Sequence, residues 1–82
     1  MIFRIYLRDA QQRVTDKTVT SSPDAARAAF LELTERADLD GSRLLAVLNR
    51  DGRPVAHHRF DGLDPAKQWR GLTGKIDLSK AG

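Results

Sequence analysis

Five consecutive apolar residues, Leu44-Leu45-Ala46-Val47-Leu48, form the longest such run in this chain of 82 residues and constrain its fold more than any other stretch. Successive side chains on a strand point to opposite faces, so Leu44, Ala46 and Leu48 look one way while Leu45 and Val47 look the other. An antiparallel strand with one wet face alternates apolar with polar residues; this one is apolar on both. The sequence therefore predicts a central strand with two covered faces, the second covered either by more of the chain or by a partner.

The flanking segments supply one helix and three further strands. Ile2 to Arg8 alternates, with Phe3, Ile5 and Leu7 on one face and Ile2, Arg4, Tyr6 and Arg8 on the other. Arg13 to Thr20 is rich in β-branched residues and reads as the returning edge strand of a hairpin. Val14 and Val19 have opposite parity there, so both reach the core only through a bulge near Asp16-Lys17. Ser22-Pro23-Asp24 is a helix start: a capping hydroxyl, a proline at the first helical position and a carboxylate at the positive end of the dipole. Ala26, Ala29, Phe30, Leu33 and Ala37 follow as an apolar stripe, Glu32 and Arg36 stand in the favourable order four apart, and Asp38 to Gly41 closes the helix.

Past the central run, Asp51-Gly52 between two strands predicts a type I′ hairpin turn. Counting back from it pairs Arg50 with Arg53, Asn49 with Pro54, Leu48 with Val55 and Ala46 with His57. Pro54 and Arg59 mark Val55 to Phe60 as the other edge. A right-handed crossover from the second strand over the first lands the third beside the first. The expectation is a single α+β domain, ββαββ, with sheet order 2-1-3-4 and one helix on one face. Asp64-Pro65 predicts a short C-terminal helical turn over 65 to 70, and residues 72 to 82 a flexible tail.

Composition excludes several classes. There is no cysteine, hence no disulfide and no thiolate metal site, which agrees with a cytoplasmic location. Arg4 and Arg8 interrupt the N-terminal apolar residues, so no secretory segment is predicted, and no apolar run approaches the roughly 20 residues of a membrane helix. Lys and Arg total 14 against 11 acids, a modest excess that speaks first to solubility.

Few residues point to chemistry. His57 and His58 are neighbours on a strand and cannot chelate one ion, so no metal is expected. Asp24, Asp40, Asp51 and Asp64 sit at helix starts or before glycines for local reasons, and the serines lie in caps and loops. No cofactor or catalytic assembly is legible, and the expectation is a protein that is not an enzyme. Arg4, Tyr6 and Arg8 are the sharper candidates for binding: an aromatic between two guanidinium groups on the outer face of the first strand. Trp69 is read either as a lid on the small core or as an interface anchor. Leu63, Trp69, Leu72, Ile76 and Leu78 are the residues available to fold back over the second face of the central strand.

The segments RIYLRDAQQRVTDKTVTSSPDAARAAF and LAVLNRDGRPVAHHRFD resemble small accessory proteins of unassigned role carried on proteobacterial plasmids and integrative conjugative elements. The resemblance spans residues 2 to 70 and includes Trp69-Arg70. In size and in the order strand, helix, hairpin, the chain is also similar to some anti-CRISPR proteins. The resemblance implies a cytoplasmic anti-defence inhibitor that occupies a surface on a host protein or ribonucleoprotein complex; it carries over no functional residue, and the contact expected from the residues themselves is centred on Arg4, Tyr6 and Arg8, with Trp69 as a further one. The alternative is a basic nucleic-acid-binding accessory protein for plasmid transfer or regulation. A homodimer paired through an edge strand or the uncovered sheet face is the third arrangement.

Overall fold

The computed structural model of the chain describes residues 1–62, 68, 69 and 76. Strands β1 (Phe3–Arg8), β2 (Val14–Thr20), β3 (Leu45–Arg50) and β4 (Arg53–Arg59) form one antiparallel sheet, and helix α1 (Pro23–Thr34) connects β2 to β3. The spatial order is β2-β1-β3-β4, as the crossover argument predicts. The expected short helical turn over 65 to 70 and the tail 72 to 82 lie almost wholly outside the described residues.

Helix α1 starts where the sequence places it: Ala25 N–H donates to Ser22 Oγ at 3.2 Å, with Pro23 in the first turn. It ends earlier than the stripe suggests, at Thr34, whose buried hydroxyl turns back to the Leu31 carbonyl at 3.1 Å. A 12-residue helix is about 18 Å long and already spans a six-residue strand of about 20 Å. A further turn would overrun the sheet, so Ala37 is exposed in a short 3-10 turn, Ala37–Leu39. Arg36 therefore stands beyond the helix, and its guanidinium reaches Asp38 at 2.9 Å and Asp16 at 3.5 Å.

The core lies between α1 and one face of the sheet. Phe3, Ile5 and Leu7 from β1, Ala46 and Leu48 from β3, and Ala56 and Phe60 from β4 and its end meet Ala26, Phe30 and Leu33 of α1, with Ile76 closing the cluster. Two irregularities of the sheet, the first expected and the second a correction to the expected pairing of Leu48 with Val55 and Ala46 with His57, bear on which residues enter it. In the β1–β2 pair, Ile5 opposes Thr18 and Leu7 opposes Thr15, so Asp16 and Lys17 together oppose Tyr6. The bulge is where the parity argument puts it, with Asp16 at φ 52°. It aligns the two valines on one face, but that face is not the core: Val14 opposes Arg8, Val19 opposes Arg4, and they are 48% and 54% exposed. The inward positions go to Thr15, Thr18 and Thr20. They suit threonine because β2 lies at the margin of the narrow helix stripe, beside a groove that Asp16, Lys17, Glu32 and Arg36 line.

The second irregularity changes the register of the β3–β4 hairpin. Asp51 and Gly52 have φ of 51° and 80°, the two positive values of a type I′ turn, and Arg50 opposes Arg53 and Asn49 opposes Pro54 as expected. The pairing then slips by one residue, so that Leu48 opposes Ala56, Val47 opposes His57 and Ala46 opposes His58. Val55 is the inserted residue. The cause is burial, because a one-residue slip exchanges the faces of every later side chain. Without the slip His57 and Arg59 would face α1; with it Ala56, His58 and Phe60 do, and all three are buried.

Candidate functional site

The register arranges the face of the sheet opposite α1 into three rows across the strands. Val14, Arg8, Leu45 and Arg59 make the first, Tyr6, Val47 and His57 the second, with the bulged Asp16 and Lys17 opposite Tyr6, and Val19, Arg4, Asn49 and Pro54 the third. Asp16 is the one acidic residue of these rows, and it is paired with Arg36. Between Ser21 and Asp40, on the helix side, five carboxylates stand against two guanidinium groups. Charge is thus segregated between the two sides of the domain, and a field of one sign favours oppositely charged partners on that side.

The greasy second face of β3 is buried at Val47. Val47 is 1% exposed yet stands outside the core cluster, flanked in register by Tyr6 on β1 and His57 on β4. Tyr6 and His57 are both half-buried, and the Tyr6 hydroxyl accepts from Asn49 Nδ2 at 3.1 Å. Among the described residues these two side chains are the cross-strand neighbours of Val47 on that face. The expectation that Trp69 and Ile76 fold back across this face is therefore corrected: both pack on the α1 side, against the core. Leu63, Leu72 and Leu78 lie outside the described residues.

Of the predicted site residues, Arg4, Tyr6 and Arg8 do share this face. Arg4 is exposed, Arg8 half-buried, and neither enters an ion pair among the described residues. Trp69 is elsewhere, half-buried against the core, where its backbone N–H donates to His58 Nδ1 at 2.9 Å. The two histidines point as strand geometry requires, His58 inward at 2% exposure with its ring edge-to-face on Phe60, and His57 outward. No group of three or more candidate metal ligands occurs among the described residues.

Sequence reasoning missed Val14 and Val19 as members of the face, and Arg59 and Arg43 as neighbours of Arg8. The signal for the valines was in hand, since the bulge at Asp16-Lys17 equalises their parity; it does not say which face they take. Arg59 became an outward residue through the slip at Val55. Arg43, in the loop before β3, joins Arg8, Leu45 and Arg59 around a cavity at one end of the face.

Compared with protein-family models, curated proteins and solved structures, the chain gives no match. No described helix is long and apolar enough to cross a membrane.

Proposed function

We propose that this chain is a non-enzymatic binding protein that acts by occupying an acidic surface of a larger partner with the sheet face opposite α1. The observation that carries the reading is the composition of that face: Arg4 and Arg8 without an ion pair among the described residues, no carboxylate in the rows other than Asp16, which Arg36 already pairs, and two exposed valines beside the arginines. Exposed apolar residues set among cations suit a protein contact, in which valine supplies buried area and arginine supplies directional hydrogen bonds to carboxylates. Tyr6, held to Asn49 and lying beside buried Val47, favours a protein over stacked bases, since sheets that bind single strands stack them on two or three aromatics. The resemblance to mobile-element accessory proteins and to anti-CRISPR proteins extends the reading to an anti-defence inhibitor acting on a host protein or ribonucleoprotein complex.

Affinity capture from a proteobacterial lysate tests it, with Arg4→Glu/Arg8→Glu as the control. The expected result is a protein retained by the wild type and lost by the double variant, insensitive to nuclease and only modestly weakened between about 50 and 200 mM salt. Nucleic-acid binding of six to ten phosphate contacts would instead fall about 10³- to 10⁵-fold over that range. Equal retention by both proteins, or retention that nuclease abolishes, would contradict the proposal.

A further inference from the structure

At the end of the sheet where β1 finishes, β3 begins and β4 finishes, Arg8, Arg43, Leu44, Leu45 and Arg59 line a cavity of about 430 Å³, which Asp9 and Asp61 also border. The register explains the arrangement: Arg8 on β1 and Arg59 on β4 oppose Leu45 from its two sides, and Arg43 precedes it by two residues in the loop. Three of these charged groups, Arg59, Asp61 and Asp9, are already committed. Arg59 is bound to Asp61, and Asp9 Oδ1 accepts from the backbone N–H groups of Gln11 and Arg13 at 2.8 and 2.9 Å. Among the described residues Arg8 and Arg43 have no ion pair and no side-chain hydrogen bond. Two guanidinium groups thus line the cavity without an anion among the described residues, against a wall of two leucines.

We propose that this cavity binds one carboxylate carried on an apolar stem, as at the C-terminus of a peptide or on an acidic side chain. Guanidinium groups recognise a planar carboxylate through paired N–H donors, and Leu44 and Leu45 offer burial to the stem. Charge decides against a phosphate. Three guanidinium groups less two carboxylates leave one positive charge around the cavity, which a single carboxylate neutralises. A phosphate dianion would set surplus negative charge beside Asp9 and Asp61. The proposal deepens the reading above by naming the group that an acidic partner delivers, and it rests on that reading for the partner alone; the cavity itself is tested without one.

The test is titration of the isotopically labelled protein, followed by backbone amide NMR. The probes are N-acetyl-leucine, N-acetyl-glutamic acid 1-amide with its single side-chain carboxylate, N-acetyl-leucinamide and inorganic phosphate. Expected are saturable shifts at Arg8, Arg43, Leu44 and Leu45 with one or both acids, the better acid naming the source. The neutral amide should leave these signals in place, and phosphate should bind at least tenfold more weakly. Arg43→Gln, at an exposed loop position, should weaken the acid roughly tenfold with the spectrum otherwise unchanged, and Arg8→Gln should do the same. Arg4→Glu, which alters the face without lining the cavity, should leave acid binding as it is, so a failed capture experiment and a failed cavity are told apart. Shifts as large with the amide as with its acid, phosphate binding as tight as the acids, no shifts with either acid, or unaltered affinity in both arginine variants would overturn the proposal.

Discussion

The Tyr6 hydroxyl accepts a hydrogen bond from the side-chain amide of Asn49 at 3.1 Å, across two strands and from one row of the sheet face to the next. The bond fixes a half-buried ring beside Val47, and so joins the cover of an apolar residue to the shape of the surface a partner meets. Tyr6→Phe removes only the bond and should cost about 0.5–1.5 kcal/mol in urea denaturation. Tyr6→Ala should cost clearly more, because it also uncovers Val47. Equal losses in the two variants would show that the ring covers nothing.

The slip at Val55 decides which residues of β4 enter the core, and deletion tests that directly. Val55→Ala trims a half-buried side chain and should be mildly destabilising. Deleting Val55 removes the inserted residue and lets Leu48 oppose Ala56, Val47 oppose His57 and Ala46 oppose His58 in a regular ladder, so Ala56, His58 and Phe60 still face α1. Retained cooperative thermal unfolding is the expected outcome for the deletion. Loss of cooperative unfolding in the deletion variant would mean that the bulge itself, and not the burial of these residues, sets the register.

Asp51 ties the hairpin turn to the start of β1. Its carboxylate accepts from Ile2 N–H at 2.8 Å while its own N–H donates to the Ile2 carbonyl at 2.8 Å. The Ile2 hydrogen bond comes first among the causes that hold the carboxyl below its ordinary value, followed by the opposing effect of desolvation and then by the N-terminal ammonium and Arg50. A carboxyl depressed in the folded state contributes stability that is whole above the ordinary carboxylate range and is lost as the pH falls through the depressed value. Asp51→Asn keeps an acceptor and tolerates the turn's positive φ. It should therefore melt much as the wild type does at neutral pH and lose less of its stability below about pH 4. Parallel acid profiles for the two proteins would contradict the assignment.

Much of this architecture was legible from local chemistry. The cap at Ser22, the Asp51-Gly52 turn, the strand order and the bulge at Asp16-Lys17 each follow from a few adjacent residues, and each is present. What local reading could not supply was the choice between two faces. Val14 and Val19 are as greasy as core residues, but the helix that would bury them spends its apolar stripe on β1 and β3, and this is a property of the packed whole. The same holds for Val47, whose cross-strand neighbours on that face are Tyr6 and His57, 41 and 10 residues away in sequence. Of the candidate site, the alternation of β1 revealed Arg4, Tyr6 and Arg8 together. For Trp69 a lid on the core is the favoured reading over an interface anchor, and the side chain does pack against the core, away from the arginines.

Trp69 offers a reporter for the C-terminal segment. Its N–H donates to His58 Nδ1, on a ring that is almost wholly buried. His58→Leu keeps an apolar side chain of similar reach and removes the acceptor, leaving that N–H without its ring partner at a cost of about 1–3 kcal/mol. The tryptophan should become more accessible, with red-shifted emission and faster acrylamide quenching, while the far-ultraviolet dichroism of the sheet stays unchanged. Unaltered quenching would show that the bond to His58 does not hold Trp69 in place.

The absence of cysteine makes the central claim directly measurable, because one introduced thiol reports on one face. Val19→Cys places it among the arginines opposite α1, and Leu31→Cys places it on the exposed side of the helix, where the native leucine is 42% accessible. Maleimide labelling of each variant is compared in buffer and in host lysate. The account predicts that lysate slows labelling at position 19 by at least severalfold and leaves position 31 unchanged. Protection at 31 with free labelling at 19, or no protection at either, would contradict it.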